Sequence, residues 1–168
     1  MEILIIGVIL VGLMIYASTR IKKSAATAWD PETIETDEFC IQKPEGFLHN
    51  LNGDPAYNFE AYSKEFSKEN SKLRVGTAAV SRLQGISLDD CLRTMHDEGY
   101  VDRVSEVIDE ILYREMSTEG ATEEVTRFAK LAQTNNNLYK LIVSAAKEAD
   151  GEQWVETFID SFRVKSSK

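Results

Sequence analysis

The chain has 168 residues, 43% of them apolar, and a net charge of −9, which is enough for one domain with its own core. From residue 24 onward sixteen basic residues stand against twenty-seven acidic ones, a net of −11. So acidic a domain repels phosphate backbones, which argues against a nucleic-acid partner, and it should be held off an anionic lipid surface.

The first element is aliphatic and uncharged. It comprises Ile3, Leu4, Ile5, Ile6, Val8, Ile9, Leu10, Val11, Leu13, Met14 and Ile15, preceded by Glu2 alone and followed by Arg20, Lys22 and Lys23. A helix rises ~1.5 Å per residue and needs ~20 residues to cross ~30 Å of hydrocarbon. Residues 1–19 reach that length once Ser18 and Thr19 enter the interface, so we read them as a single transmembrane anchor with membrane lipid as its partner. Tyr16 suits the headgroup layer. The basic flank of Arg20, Lys22 and Lys23 predicts the N-terminus outside and the domain on the cytoplasmic face.

Two other readings stay open here. A cleaved signal peptide would use Ala26-Thr27-Ala28 as its processing site and export the domain, but its positive charge belongs before the apolar run. A buried core helix is the other, although a helix apolar on all faces at a chain end fits an anchor better. Gly7 and Gly12 are not at helix-dimer spacing.

Residues 20–37 read as a juxtamembrane linker, broken at Asp30-Pro31-Glu32. The domain, residues 38–168, starts with a short strand from Glu38 to Lys43, ended by Pro44 and the turn Glu45-Gly46, with Phe47 and Leu48 packing inward. Asn52-Gly53-Asp54-Pro55 is a turn. Ala56 to Phe66 reads as one strand and Leu73 to Leu83 as another, the second apolar enough on both faces to be central.

Ser87 caps a helix whose face is Leu88, Cys91, Leu92 and Met95, with Gly99 at its end. Asp102 to Met116 fits a helix or a strand, and we place a strand from about Glu110. Thr122 to Gln133 and Leu138 to Ala146 are strands joined by the hairpin turn at 134–137. A last helix, Glu152 to Phe162, buries Trp154, Phe158, Ile159 and Phe162, and Val164 to Lys168 frays. The expected architecture is α+β, a mostly antiparallel sheet sandwiched by helices behind a single transmembrane helix.

Several segments are similar to a known family. Phe39-x-Ile41-x-x-Pro44-Glu45-Gly46-Phe47 resembles the opening strand of PsbP-like, Mog-like and DcrB-like domains, with Phe47 where Trp is usual. Ser87-Leu88-Asp89-Asp90 resembles their helix start, Leu138-Tyr139-Lys140-Leu141 one of their strands, and Phe158-Ile159-Asp160-Ser161-Phe162 their closing helix. The matches run in order from Phe39 to Val164. The resemblance implies a sandwich fold and an accessory, assembly or partner-binding role, with no contact residue carried over. Bacterial members of this kind are often exported or lipid-anchored, whereas the basic flank here argues for a cytoplasmic face.

Candidate chemistry is sparse. Cys91 and His96 fall about 140° apart on one helix, which argues against a catalytic pair. Cys40 and His49 would need the fold to bring them together. The two cysteines read as free thiols in a reducing compartment or as one disulfide after export. No phosphate-cradling loop, HExxH or CxxC motif occurs. We therefore expect no enzyme, metal or cofactor, and an unidentified protein as the partner. Tyr57, Phe59, Tyr62 and Phe66 are the candidate contact set. Alternate aromatics on a strand are usually core, but these fall on two faces, and a face left open would receive the partner.

Overall fold

The computed structural model describes residues 2–51, 53–68, 71–118, 125–134, 137–146 and 152–165, and for residues 2–9, 23–26, 65–68, 71–73 and 152 the backbone alone. Among the described residues three helices, α1 (Glu2–Thr27), α2 (Leu88–Asp97) and α3 (Glu152–Ser161), accompany twelve strands. These are β1 (Glu32–Glu35), β2 (Phe39–Lys43), β3 (Phe47–His49), β4 (Phe59–Ser63), β5 (Glu65–Lys68), β6 (Ser71–Arg74), β7 (Gly76–Leu83), β8 (Tyr100–Ile108), β9 (Ile111–Thr118), β10 (Val125–Gln133), β11 (Leu138–Ala146) and β12 (Arg163–Val164).

Seven strands form an antiparallel sheet in the order β3-β4-β7-β11-β10-β9-β8. β1-β2-β12 make a small second sheet, and β5-β6 a separate hairpin. Side chains of alternate parity point to opposite faces of the large sheet. One face, with Phe59, Ala61, Ala78, Val80, Tyr113, Leu141 and Val143, packs against Phe39 and Ile41 of β2 and Val155, Phe158, Ile159 and Phe162 of α3. The other face carries Met116, Ala129, Leu131 and Leu138 beneath Leu88, Cys91 and Met95 of α2. That helix starts as its sequence dictates: the Asp90 N–H donates to Ser87 Oγ at 3.1 Å, and Gly99 leaves it at φ +88°.

The α+β sandwich matches the expectation, and β7 is interior, between β4 and β11. Several boundaries differ. The segment read as a linker continues α1 to Thr27 and then forms β1, which pairs antiparallel with β2 from Glu32↔Lys43 to Glu35↔Cys40. The long strands read over 56–66 and 73–83 each break, at Lys64 and Val75, where the chain leaves the large sheet to form the β5-β6 hairpin. Asp102 to Met116 is a hairpin: β8 turns into β9 at Asp109 (φ 51°) and Glu110 (φ 67°). Two consecutive positive φ values favour Asn and Gly, and Glu is an unusual occupant, so the turn is hard to read from sequence. Val164 does not fray, because β12 adds to β2 through Arg163↔Cys40 and Val164↔Phe39. β8 is an edge of the large sheet, and its ladder is interrupted by a bulge between Asp102 and Val104.

Among the described residues no helix is long and apolar enough to cross a membrane. The side chains of Ile3, Leu4, Ile5, Ile6, Val8 and Ile9, and that of Lys23, lie outside the described residues. Leu10, Val11, Leu13, Met14, Ile15 and Tyr16 of α1 are 53–70% exposed, and Arg20 and Lys22 are exposed too.

Candidate functional site

Three places on this frame concentrate chemistry. The first is the foot of α1. Lys43 shares the parity of Phe39 and Ile41, so the pleat turns it inward. Its ammonium is 1% exposed and donates to the carbonyls of Ala28 (2.8 Å), Asp30 (2.7 Å) and Phe47 (3.0 Å). The Glu32 carboxylate lies 3.9 Å away. The Gly46 N–H donates to the Trp29 carbonyl at 2.8 Å. Three of these hydrogen bonds fasten the segment after α1 to the β2–β3 turn, and the fourth ties Lys43 across that turn, so a docked junction stands where a juxtamembrane linker was expected. Lys64 stands over the Trp29 ring at 4.8 Å and Arg74 over the Tyr62 ring at 4.0 Å.

The second place is an open cleft of about 720 Å³ between α3 and strands β8–β10. Arg103, Glu115, Glu156 and Asp160 line it with Phe128 and Ile159. Beside it Lys130, 1% exposed, donates to the Ile159 carbonyl at 3.0 Å and pairs with Glu115 at 2.9 Å and Glu106 at 3.7 Å. Nearby, the Tyr113 hydroxyl accepts from the Val164 N–H at 3.0 Å, and burial pushes its phenol up from its ordinary pKa.

The third is the half of the large sheet that α2 leaves uncovered. There Leu48, Glu60, Tyr62, Ala79 and Ser81 are half-buried and Thr77 is exposed.

The aromatic set predicted as a contact surface is divided by the fold. Phe59 is 2% exposed and packs at 5.1 Å on His49 and 6.4 Å on Phe158, so it belongs to the core and leaves the candidate surface. The α3 side closes over it because β4 turns Phe59 and Ala61 to the same face. Tyr62 points to the opposite, half-open face. Tyr57 is exposed in the turn before β4. The Phe66 side chain lies outside the described residues.

The Cys–His pairings are not assembled. Cys91 is buried under α2, and burial pushes its thiol up, which leaves it protonated and unreactive at neutral pH. His96 is exposed at the helix end, with Nε2 3.2 Å from Asp102. Both cysteines are free. Cys40 sits on the small sheet and Cys91 under α2, on opposite sides of the large sheet. Burial against Phe59 lowers the pKa of His49, an effect that Glu32 opposes and Lys43 reinforces. Among the described residues no three His, Cys, Asp or Glu side chains gather as a metal site. Sequence reasoning missed Lys43, Lys130 and Trp29. The signal for Lys43 was present, since it falls on the buried parity of β2, whereas Lys130 lies in a stretch of β10 buried on both faces.

No family model matches the chain, and no curated protein does. Among solved structures it is similar to cyanobacterial PsbP (CyanoP) from Synechocystis sp. PCC 6803, with a TM-score of 0.52 at 11% identity, over 82% of this chain and 94% of that one. The fold is PsbP-like. A structure from Bacteroides thetaiotaomicron aligns at a TM-score of 0.46 and 13% identity, over 77% of this chain and 46% of that one. In this chain the segments that carried the resemblance lie in β2 with the β2–β3 turn, at the start of α2, in β11 and at the end of α3.

Proposed function

We propose that this chain is a non-catalytic accessory module, held at a membrane by α1, with its PsbP-like domain on the cytoplasmic face and a protein as its partner. One observation carries the reading. The side chains of Leu10, Val11, Leu13, Met14, Ile15 and Tyr16 are all more than half exposed, while the domain closes its two cores without them. Aliphatic side chains arranged this way call for an apolar surround. The uncharged part of α1, residues 3–19, is about 26 Å long at ~1.5 Å per residue, a short match to ~30 Å of hydrocarbon. Arg20 and Lys22 then lie on the domain side, as the cytoplasmic leaflet favours. The free thiols on opposite sides of the sheet fit a reducing compartment. The cleft beside α3 and the half-open face around Tyr62 offer concave and flat surface to a partner, and a tether raises its local concentration.

Protease protection of a C-terminal tag tests the reading. The tag should resist protease in intact cells, on a full-length chain that sediments with membranes. A digested tag places the domain outside, as an exported accessory module. A chain that remains in the supernatant removes the tether.

A further inference from the structure

α3 lies over β10 and β11 and leaves the outer strands β9 and β8 open beside it, which makes the cleft. The helix supplies one wall. Val155 and Ile159 are buried towards the sheet, whereas Glu156 and Asp160, each one residue further round the helix, are exposed and line the cleft. The floor is Glu115 and Ser117 of β9 with Phe128 of β10. Val101 and Val104 of β8 are exposed and share that face, because they pair with Ser117 and Glu115.

Three acids line this cleft against one base, Arg103. Glu115 is engaged by Lys130 at 2.9 Å. Among the described residues no hydrogen bond or ion pair engages Glu156 or Asp160. Asp160 stands in the last turn of α3, which holds no basic residue, so its charge adds to the negative end of the helix dipole instead of offsetting it. Two of the chain's own cations already show what this end attracts. The Lys130 ammonium donates to the Ile159 carbonyl at 3.0 Å. The Arg103 guanidinium, carried at the β8 bulge, lies 5.7 Å from the centre of the Phe128 ring and leaves both helix carboxylates unpaired.

We infer that the cleft takes an arginine or lysine side chain from a basic segment of the protein partner. The aliphatic stem of that side chain lies along Phe128 and Ile159, and its charged head meets Glu156 and Asp160. Val101 and Val104 extend the same face past the cleft, so the surface is longer than one small cation fills and suits a segment of chain. The negative balance of the domain draws such a partner in. The inference rests on the reading of this chain as an accessory module with a protein partner, and it names the chemistry of that partner.

The test uses the full-length chain in a nonionic detergent and two fluorescent peptides. One carries arginines spaced by valine and glycine; the other has citrulline in their places, which keeps the shape and removes the charge. Fluorescence anisotropy should show the arginine peptide binding, and the citrulline peptide about tenfold weaker. Glu156→Gln with Asp160→Asn should weaken the arginine peptide about fivefold. Asp97→Asn with Glu98→Gln, an equal loss of charge at the end of α2, should leave it unchanged. No binding of the arginine peptide, or equal effects of the two pairs of substitutions, overturns the inference. Spermidine that displaces the peptide at equal concentration makes the cleft a small-cation site and overturns the partner segment. If the cleft fails while the chain stays membrane-bound with its tag protected, the accessory reading stands without it. If the peptide binds as expected but the chain does not sediment with membranes, the tether falls and the cleft stands.

Discussion

Lys43 at the foot of α1 and Lys130 beside the α3 cleft are buried to the same depth, each 1% exposed, yet they are neutralised differently. Lys43 gives its protons to three backbone carbonyls, with a carboxylate only at 3.9 Å. Lys130 gives one to a carbonyl and faces the carboxylates of Glu115 and Glu106. The first arrangement ties a charge to the path of the chain; the second ties it to side chains that can be changed one at a time. Lys43 is thus a fastener for a segment, and Lys130 a member of a charge cluster at the cleft.

Lys43→Met should have the largest effect. It leaves three carbonyls without their shared donor, at a cost of about 3–4 kcal/mol. The Gly46 amide, which is bonded to Trp29, should then exchange with deuterium much faster while amides of β10 and β11 stay protected. Equal exchange in the variant would mean that the junction is held by the strand pairing of β1 instead. Glu115→Gln should come next, at about 3 kcal/mol in urea unfolding, because it leaves the Lys130 ammonium buried beside a weaker partner.

Lys130→Met should cost less, about 1 kcal/mol, since Glu115 is 20% exposed and its carboxylate can turn to water. The order of these two is the sharp part of the comparison. A costlier lysine change would show that the carbonyl of Ile159, and not Glu115, is the principal partner. The smallest effect is the pH response of His49, which lies near the junction. Burial holds its folded pKa below the ordinary 6.5. Above 6.5 the ring is neutral in both states and stability is fully present. As pH falls through 6.5 the unfolded chain takes up its proton first, so stability declines, and it levels off once the folded ring is protonated too. His49→Asn should flatten that part of the pH–stability curve.

Much of the fold was legible because pattern and burial agree where a strand or helix has one closed face. Phe39 and Ile41, the cap at Ser87, the run from Leu138 to Ala146 and the face of α3 are of that kind. The misread parts have local sequence that argues against their tertiary role. β8 alternates weakly because it is an edge strand with Val101, Val104 and Val107 exposed, and Glu110 occupies a left-handed turn position. β1 and β12 are too short to show a period and exist only as additions to β2. Lys43 and Lys130 were passed over because a lysine reads as surface, although the parity of β2 placed Lys43 inside and β10 is buried on both faces around Lys130. At the aromatic strand the alternation was right in principle. Phe59 and Tyr62 do face opposite ways, and α3 decides which of them is core.

The bulge in β8 has a consequence for molecules confined to a plane. Proteins tethered to a surface meet edge to edge far more often than proteins free in three dimensions. A nine-residue outer strand with three exposed valines is adhesive under those conditions. The interruption at Asp102–Val104, with Asp102, Arg103 and Glu106 along the same strand, breaks the regular run of donors and acceptors that a neighbouring copy would need to zip onto it. For a domain held at a membrane as proposed above, this irregular edge would disfavour strand-to-strand pairing between neighbouring copies.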